Sequence, residues 1–443
     1  MSGITKRFAG TLANDRVDLA LAPGEVVALL GENGAGKTTL MNILFGHYTA
    51  DAGEIRIHGE VLPPGSPQAA LKAGVGMVHQ HFTLADNMTV LDNVLLGTEP
   101  LWSPRSDRRN ARRRLDELGQ TFGLGVRAEA LVRDLSIGER QRVEILKALY
   151  RKARFLILDE PTAVLTPQES ERLFDVLGRL VAEGLGILFI SHKLKEVMRA
   201  SERVVVLRGG RVVLEGKTAE LSRAALAEAM VGRAVAEAIR GAVDPGEVVL
   251  ALDGVQVLRD GRPVLDDVTF EVRRHEIVGI AGVAGNGQTP LAGLLSGLVV
   301  PSRGTFELKG QAVADADPRA LVEAGVARIP EDRHEVGVIG DMTVGENALA
   351  ERYHASAFNR FGWFRSEPVR THVRAVLTRF RVVGAAADAP ARLLSGGNMQ
   401  RLILGRALIE KPDLILAHQP TRGLDVGAIA DVHRLLIEAR ARG

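Results

Sequence analysis

The sequence predicts an α/β fold that is built twice along the chain, with a mainly parallel sheet in each copy. Two observations support this prediction. An apolar run of buried-strand type, Glu25–Leu30, leads directly into a glycine-rich loop and then into an apolar helix. The same order of strand, loop and helix returns 251 residues later, where Gly282 takes the place of Gly31. A length of 443 residues also suits two domains better than one.

The composition is that of an ordinary globular protein, and it excludes several classes of function. Hydrophobic residues make up 46% of the chain and charged residues 25%. The 56 basic and 54 acidic side chains nearly cancel, which gives no reason to expect a nucleic-acid partner. The chain has no cysteine, so disulfides, thiolate catalysis and cysteine-ligated metals are excluded. No apolar signal segment follows Met1, so we expect no export.

One stretch is apolar enough to suggest a membrane span, but its glycines argue against that interpretation. Residues 278–300 are mostly apolar, yet Gly282 and the polar run Gly285–Gln288 interrupt them. A spanning helix needs about 20 consecutive apolar residues. We therefore predict a strand, a glycine loop and a buried helix here, and no transmembrane segment anywhere.

The loop after the first apolar strand has the composition of a phosphate cradle. Its sequence GENGAGKT matches the pattern G-x-x-x-x-G-K-[ST] without a gap. Glycines let backbone N–H groups turn inward around phosphate oxygens, and the N-terminus of the following helix faces the same anion. We expect the Lys37 ammonium to contact the β- and γ-phosphates and the Thr38 hydroxyl to bind Mg²⁺. The predicted ATP-binding residues here are Gly31, Glu32, Asn33, Gly34, Ala35, Gly36, Lys37, Thr38 and Thr39.

Two acidic residues end a second buried strand. The apolar run Phe155–Leu158 is followed by Asp159 and Glu160. Next to a phosphate loop, Asp159 is expected to hold the Mg²⁺ shell, while Glu160 orients and polarises the attacking water. A solvated acidic turn is the alternative interpretation, and the phosphate loop argues against it.

Three shorter motifs resemble those of ABC ATPases. Leu135–Gln141 (LSIGERQ) is similar to the ABC signature LSGGQ, although imperfectly; His192 resembles the switch histidine, and Gln80 the Q-loop glutamine. The order of all these motifs is specific to that family, and the resemblance covers the whole chain. It implies ATP and Mg²⁺ as cofactors, and catalytic roles for Glu160, His192 and Gln80, with Gln80 also near Mg²⁺. It further implies a helical subdomain and an antiparallel β edge in each copy.

The resemblance narrows to one group of ABC proteins. The strings GMVHQHFTLADNMTVLDNVLLG, LSIGERQRVEILKALYR, DEPTAVLTPQE and QPTRGLDVGAI look like the ATP-binding subunit of bacterial simple-sugar and nucleoside importers. The likeness is strongest to the nucleoside group, which is served by a basic-membrane-lipoprotein-type binding protein. It implies separate permease subunits as partners, an extracytoplasmic solute-binding lipoprotein as an indirect partner, and one or two copies of this chain per transporter. The implied location is peripheral, on the cytoplasmic face of the cell membrane.

Three other functions remain as alternatives. A soluble twin-cassette translation factor would bind ribosomes, but such factors usually keep both sites intact and carry a long charged linker. A DNA-repair or chromosome-structure ATPase would need coiled coils or zinc modules between the motifs, and the sequence has none. A nucleotide-binding scaffold without turnover is the third alternative.

The internal repeat defines two domains and a linker. The offset is 251 residues at the phosphate loop and 259 residues at the signature, because the second copy has an eight-residue insertion. We predict a first cassette over 1–234, a linker over 235–246 with the turn signal Asp244–Gly246, and a second cassette over 247–443.

The second copy has lost the groups that hydrolysis needs. The position of Lys37 is taken by Gln288, that of Asp159 by His418, and that of Glu160 by Gln419. The loop there has no cation, no magnesium carboxylate and no base. Backbone amides could still bind nucleotide, but fast hydrolysis is not expected.

The signature motifs show the opposite asymmetry. The first is altered at Ile137 and Glu139, whereas the second keeps Ser395, Gly396 and Gly397; likewise Thr166 of the first copy corresponds to Asp425 of the second. Because cassettes of this family pair head to tail, the resemblance implies that ATP on the first phosphate loop also contacts the second signature. We therefore hypothesise one hydrolytic site per chain, with Ser395, Gly396 and Gly397 among its ATP-binding residues.

Several weaker expectations concern the two ends of the chain and single residues. The counterpart of His192 would fall at position 451, beyond Gly443, so we expect the second cassette to lack its last strand and helix and both ends to be clipped. Phe8 lies where an A-loop aromatic ring would stack on adenine; an ordinary core residue is the alternative.

Two clusters outside the motifs have ordinary interpretations. The arginines between Arg105 and Arg114 suit a solvated helix face, with docking near the membrane as the alternative. His79 and His81 lack an accompanying carboxylate or cysteine cluster, which disfavours a metal site.

Overall fold

The computed structural model describes residues 1–8, 10–79, 82–98, 107–163, 165–234, 241–283, 285–313 and 317–443. The chain divides into two compact units, Met1–Val235 and Ala236–Gly443, which we call unit 1 and unit 2.

The described residues of unit 1 form two sheets of more than two strands. Its strands are β1 (Ser2–Phe8), β2 (Thr11–Val17), β3 (Val26–Leu30), β4 (Ala52–Glu54), β5 (Arg56–Ile57), β6 (Glu60–Val61), β7 (Val75–Val78), β8 (Phe155–Asp159), β9 (Gly186–Ile190), β10 (Arg203–Arg208) and β11 (Arg211–Lys217). The main sheet has the order β11-β10-β3-β9-β8-β7, and only β11 runs antiparallel to its neighbour. A separate antiparallel sheet has the order β2-β1-β4.

The helices of unit 1 flank the main sheet or form a separate cluster. They are α1 (Lys37–Phe45), α2 (Pro67–Lys72), α3 (Val90–Leu95), α4 (Arg108–Phe122), α5 (Ile137–Tyr150), α6 (Pro167–Ala182), α7 (Leu194–Ala200) and α8 (Arg223–Val231), with 3₁₀ turns at Val132–Asp134 and Thr218–Glu220. Helices α3 and α4 both pack against α5, which gives the helical subdomain that the sequence predicts. Two of the arginines near the N-terminus of α4 form ion pairs: Arg108 with Asp92 at 2.5 Å and Arg112 with Glu129 at 2.6 Å.

Burial explains why the central strands of unit 1 have continuous apolar sequences. Every residue of β3 and β9 is buried, because helices cover both faces of a parallel sheet and leave no polar side. Parallel strands also end at one common edge. The phosphate loop follows β3, the acidic pair ends β8 and the switch histidine follows β9, so the topology alone brings the three motifs together.

Unit 2 repeats these elements with a different sheet. Its strands are β12 (Val248–Arg259), β13 (Arg262–Arg273), β14 (Arg303–Leu308), β15 (Gln311–Ala312), β16 (Val326–Ile329), β17 (Asn359–Arg360), β18 (Trp363–Phe364) and β19 (Leu414–Ala417). Its helices are α9 (Gln288–Leu295), α10 (Pro318–Glu323), α11 (Val344–Leu349), α12 (Ser366–Arg379), α13 (Gly396–Leu408) and α14 (Val426–Arg442), with a π-helical turn at Arg333–Gly337 and a 3₁₀ turn at Ala391–Leu393. The antiparallel sheet has the order β13-β12-β14-β15, and β16 pairs in parallel with β19.

The strand predicted at the start of 278–300 is wrong. Residues 276–283 form no strand, and Ile277, Ile280 and Val283 are exposed to 56%, 52% and 70%. In unit 1 the corresponding strand β3 lies between β9 and β10. Among the described residues of unit 2, no strand pairs with this segment. The helix predicted after the glycine loop is present as α9.

Within the described ranges, no helix is both long enough and apolar enough to cross a lipid bilayer.

Candidate active site

The phosphate loop of unit 1 has a backbone shape that requires glycine. Gly36 precedes α1 with a φ of 101°, and a Cβ atom added there would lie 2.2 Å from the Ala13 carbonyl oxygen. The Asn14 side-chain amide donates to the Gly36 carbonyl oxygen at 3.2 Å, which fixes the loop from the β2 side. The loop therefore presents its peptide N–H groups at the N-terminus of α1, where an anion is favoured.

Lys37 is the first residue of α1 and its side chain turns back over the loop. The ammonium donates to the carbonyl oxygens of Gly31 at 2.8 Å and Glu32 at 2.9 Å, and the side chain is 6% exposed. This places a buried positive charge at the loop. Thr38 follows it with an exposed side chain and Thr39 with a half-buried one.

The acidic pair lies at the carboxyl end of β8. Asp159 is the last residue of that strand and is 5% exposed. Glu160 follows with a φ of 47°, a left-handed conformation that costs a non-glycine residue on the order of 1–3 kcal/mol. Its N–H donates to the Ile190 carbonyl oxygen at the end of β9, at 3.0 Å. The turn is therefore held by the neighbouring strand.

The two carboxylates differ in their electrostatic surroundings. Burial raises the pKa of Asp159 to about 6; the Glu160 carboxylate adds to this effect and the Lys37 ammonium opposes it. Burial also pushes the pKa of Glu160 upward, but the hydrogen bond to His192 and the charges of His192, Lys37 and Lys193 outweigh it. The pKa of Glu160 is therefore below its usual value, and this carboxylate is ionised at neutral pH.

His192 reaches Glu160 from the end of β9. The Nδ1 atom of His192 lies 2.9 Å from Oε1 of Glu160, and both side chains are mostly buried. The switch histidine and the carboxylate predicted to polarise water are thus in direct contact. A histidine hydrogen-bonded in this way can orient the carboxylate, and its second ring nitrogen can bind another group.

A polar network behind His192 was not predicted from the sequence. The Lys193 ammonium donates to the Thr162 carbonyl oxygen at 2.9 Å, and the Thr162 hydroxyl donates to Glu196 at 2.6 Å. The Lys193 N–H donates to the buried Ser191 hydroxyl at 3.0 Å. The network ties the segment after β8 to the segment after β9, so it positions Glu160 and His192 relative to each other. Its members are ordinary polar residues with no spacing pattern that could have identified them.

Phe8 lies at the end of β1 and its ring is accessible. The side chain is 41% exposed and contacts the ring of Tyr48 edge-on, with 5.5 Å between centroids. The Lys6 ammonium lies 5.2 Å from the centroid of the same ring. An exposed ring of this kind can stack on a base, whereas a core residue would be covered.

Gln80 and His81 lie outside the described residues. The neighbouring His79 is half-buried, and its ring stacks on His47 with 5.8 Å between centroids and 10° between planes. Burial lowers the pKa of His79, with His47 contributing to the shift.

The loop of unit 2 meets its helix as its counterpart does but lacks the charge. Gly287 precedes α9 with a φ of 90°, as Gly36 precedes α1. The Gln288 side-chain amide donates to the Gly282 carbonyl oxygen at 3.1 Å, which repeats the contact of Lys37 with Gly31. A neutral amide therefore takes the place of a buried ammonium in this contact.

The acidic pair of unit 2 is replaced in the same way. His418 directly follows β19, and its Nε2 atom lies 3.5 Å from Glu331, which also pairs with Arg422. Gln419 adopts a φ of 45°, which matches that of Glu160. The backbone of the turn is conserved between the units, whereas both carboxylates are absent from unit 2.

The signature segments begin helices in both units, and their first turns differ in charge. In unit 1 the Ser136 hydroxyl donates to Glu139 at 2.9 Å and also accepts from the Glu139 N–H, which is a capping box. The hydrogen bonds from the Ser136 backbone and side chain lower the pKa of Glu139, so this turn carries a negative charge. In unit 2 the Ser395 hydroxyl accepts from the neutral Asn398 amide at 3.0 Å.

The first turn of α13 is consequently the one suited to an anion. Gly396 and Gly397 follow Ser395 and add no side chain, and no carboxylate is present among Ser395–Asn398. In unit 1 a phosphate near Ser136 would meet the Glu139 carboxylate instead. The capping-box spacing of Ser136 and Glu139 could have shown this from the sequence.

The residues present fit a magnesium ion of the kind that accompanies a bound triphosphate. Such an ion takes one or two protein oxygen ligands and completes its shell with phosphates and water. The buried Asp159 carboxylate, with its raised pKa, and the accessible Thr38 hydroxyl supply that set. The described residues contain no cluster of three or more histidine, aspartate or glutamate side chains, so a metal site made by the protein alone is not found among them.

Comparison with known proteins gives one family. The sequence profile of the ABC transporter family matches residues 14–163 and 265–422. A glucose import ATP-binding protein of Haloferax volcanii, TsgD13, is 45% identical, and the alignment covers 100% of this chain and 86% of that protein. The guanosine import ATP-binding protein NupO of Bacillus subtilis is 44% identical, with 100% and 87% covered. The nucleoside import ATP-binding protein NupA of Lactococcus lactis is 42% identical, with 100% and 88% covered.

A solved structure is also similar to part of the chain. The crystal structure of a nucleotide-free ATP-binding cassette from an ABC transporter is 26% identical, covers 49% of this chain and 89% of that one, and has a TM-score of 0.45. The family match covers more than half of the chain and falls in both units. The chain therefore belongs to the ABC transporter family and is an ABC-type ATPase with two cassettes in one polypeptide.

Proposed function

We propose that this chain is the ATP-hydrolysing subunit of a membrane importer for nucleosides or simple sugars, and that it hydrolyses ATP at unit 1. The observation that carries the catalytic part is the 2.9 Å contact between Glu160 and His192 beside the Lys37 loop. The import part is supported by relatives named for glucose, guanosine and nucleoside import, which this chain matches over its whole length.

The proposed chemistry assigns one role to each residue of unit 1. The Phe8 ring stacks on adenine, and the N–H groups of Gly31–Thr39 and the Lys37 ammonium hold the phosphates. Thr38 and Asp159 would hold Mg²⁺, which would neutralise charge on the phosphate oxygens. The family resemblance implies a further role for Gln80 near the ion. Glu160 accepts a hydrogen bond from the attacking water and polarises it. His192 orients Glu160 and contacts the γ-phosphate.

We further propose one hydrolytic site in each chain. Unit 2 supports no second one, because Gln288, His418 and Gln419 replace the cation, the magnesium ligand and the base. The signature residues Ser395, Gly396 and Gly397 are proposed to act on the ATP held at Lys37, as the family resemblance implies. The ionised Glu139 in the other signature agrees with this assignment, because a carboxylate there disfavours a phosphate.

Paired substitutions at equivalent positions test the catalytic proposal. We expect Glu160→Gln to lower the ATPase rate of the full chain by at least a hundredfold, because the base is lost while the turn is kept. Its matched control, Gln419→Ala in unit 2, should leave the rate within about twofold, an effect of under 1 kcal/mol on the barrier. Equal losses from both substitutions would contradict a single hydrolytic site.

The transport part needs a different measurement. The full chain, affinity-purified from detergent-solubilised membranes, should bring with it permease subunits that span the membrane several times. A solute-binding lipoprotein in the same complex would agree with the indirect partner that the resemblance implies. Recovery of ribosomal proteins without permeases would favour a twin-cassette translation factor instead. The chain would then remain an ATPase, but not one that powers import.

A further inference from the structure

A short hairpin of unit 2 carries aromatic side chains into solvent. Strands β17 and β18 are joined by the two-residue turn Phe361–Gly362. Phe361 is 90% exposed, Trp363 81% and Phe364 58%. Single exposed hydrophobic residues are common on protein surfaces, but three exposed aromatic rings within four consecutive residues concentrate apolar surface at one hairpin tip, and exposed apolar surface of this kind marks interaction sites.

The base of the hairpin is fixed to unit 2, so the exposure of the rings is not that of a loose loop. Phe358 is buried and its ring packs against that of His372 on α12, with 4.9 Å between centroids. The Arg365 N–H donates to the Phe358 carbonyl oxygen at 2.8 Å, and the Arg365 guanidinium donates to the Ala357 carbonyl oxygen at 3.3 Å. The hairpin therefore projects its aromatic tip from a firm support.

The turn itself would be more stable with another residue in place of Phe361. Phe361 and Gly362 have φ values of 52° and 86°, the left-handed pair that a type I′ turn requires. Asparagine or aspartate is favoured at the first of these positions, and a bulky aromatic residue there is an outlier. Phe361 also adds nothing to the core, because its side chain is almost fully exposed. The Arg360 guanidinium lies 5.6 Å from the centroid of its ring. Turn geometry and packing thus give no reason for phenylalanine, which points to contact with something outside the chain.

The surroundings of the tip are positively charged. The segment Arg352–Arg379 contains six arginines and a single acidic residue, Glu367, which pairs with Arg370 at 3.3 Å. Arg360 and Arg365 flank the exposed rings, and among the described residues neither forms an ion pair with a carboxylate. Exposed aromatic rings flanked by arginines without an acidic partner are typical of segments that lie at a lipid–water interface.

We propose that the hairpin Phe358–Arg365, which we call the aromatic hairpin, contacts the lipid surface of an anionic membrane through its tip. Phe361, Trp363 and Phe364 enter the headgroup layer, and Arg360 and Arg365 remain among the phosphates. A spread of arginines along the hairpin and α12 suits a surface of many dispersed negative charges better than one narrow protein pocket. The inference rests on the proposed function, because it requires the chain to work beside a membrane.

Tryptophan fluorescence of the full chain tests the inference. The chain has two tryptophans, and Trp102→Phe leaves Trp363 as the reporter. With vesicles of phosphatidylcholine and phosphatidylglycerol at low salt, we expect a blue shift of the Trp363 emission and co-sedimentation of the protein. Both should weaken at high salt and with vesicles of phosphatidylcholine alone. Co-sedimentation of the unsubstituted chain provides the same readout if the Trp102 variant does not fold.

Substitutions distinguish vesicle binding through the aromatic hairpin from nonspecific binding through other exposed hydrophobic residues. Phe361→Asn suits the turn and should weaken vesicle binding at least tenfold, and Arg360→Gln should weaken it about fivefold. Leu298→Asn is the matched control, since Leu298 is as exposed as Phe364, at 58%, but lies elsewhere on unit 2; it should leave binding unchanged.

The outcomes distinguish this inference from the proposed function. Absence of any shift or co-sedimentation at low salt would overturn it. A shift that requires vesicles carrying the permease would also overturn it and assign the tip to a protein partner. The ATPase rate, measured on the same samples, reports on unit 1 separately. Normal hydrolysis without vesicle binding would reject the lipid contact and leave the catalytic proposal standing.

Discussion

At the scale of single residues, the turns after β8 and β19 have the same backbone conformation but different side chains. Glu160 and Gln419 share a left-handed backbone, with φ values of 47° and 45°. Each carbonyl oxygen accepts from the N–H three residues on, from Ala163 at 3.1 Å and from Arg422 at 3.0 Å. The strained turn is therefore a property of both cassettes, and of the two residues only Glu160 has a carboxylate, the group that we propose to polarise water.

The buried carboxylate of Asp159 lowers the stability of the folded chain at neutral pH. Its pKa is about 6 in the folded chain, against 3.8 for an unperturbed aspartate. Because the folded state holds the proton more tightly, the free energy of unfolding falls as the pH rises from about 4 to about 6 and is then constant. The size of the shift corresponds to roughly 3 kcal/mol lost above pH 7.

Asp159→Asn should therefore make the chain more stable at neutral pH while it abolishes hydrolysis. We expect a gain of up to about 3 kcal/mol at pH 8, because the buried charge is removed, and a smaller gain at pH 5. Urea unfolding of both proteins at the two pH values, followed by a probe in unit 1, measures this. A variant that is less stable than the parent at pH 8 would show that the carboxylate is better solvated than its burial indicates.

At the scale of secondary-structure elements, two helices that begin with the same motif have different first turns. Helix α5 begins after Ser136, whose hydroxyl is committed to Glu139, and α13 begins after Ser395, whose neighbour is the amide of Asn398. A helix N-terminus attracts anions through its unpaired N–H groups, and a carboxylate in the first turn already satisfies part of that attraction. The same element is therefore self-capped in unit 1 and available to a phosphate in unit 2.

Alanine substitutions at the two serines should affect different properties, stability for Ser136 and ATPase rate for Ser395. Ser136→Ala should lower stability by about 1 kcal/mol through loss of the cap, with little change in the ATPase rate. Ser395→Ala should lower the rate of ATP hydrolysis about tenfold or more, as expected for loss of a hydrogen bond to a charged phosphate. Thermal unfolding and steady-state ATPase assays of both variants measure the two effects. A larger loss of activity from Ser136→Ala would reverse the assignment of the two signatures.

At the scale of the whole molecule, local motifs were predictable and non-local pairing was not. The loop from Gly31 to Thr38 and the helix after it are consecutive in sequence. Their residue types and spacing were therefore enough to predict both. The strand predicted at Val278 failed because a central strand also needs partners from distant parts of the chain, and the described part of unit 2 supplies none for it. The network of Lys193, Thr162 and Glu196 was missed for a similar reason, since the fold brings together residues with no shared pattern.

This difference in pairing predicts that the two units differ in local stability. In unit 1, β3 is hydrogen-bonded on both sides and fully buried, whereas in unit 2 the residues 276–283 are mostly exposed and β19 is only half-buried and paired with β16. Backbone amides that lack neighbouring strands and apolar cover open at low free energy.

Hydrogen–deuterium exchange read by mass spectrometry should show the difference directly. Peptides covering 276–283 and 414–417 should exchange orders of magnitude faster than those covering 26–30 and 155–159. The antiparallel pair β12 and β13 serves as the internal control, because it is a long, well-paired part of unit 2 and should stay protected. Fast exchange there as well would mean that all of unit 2 opens, not only its parallel strands. Protection of 276–283 equal to that of β3 would mean that the segment finds a strand partner in solution, from another copy of the chain or from a bound protein.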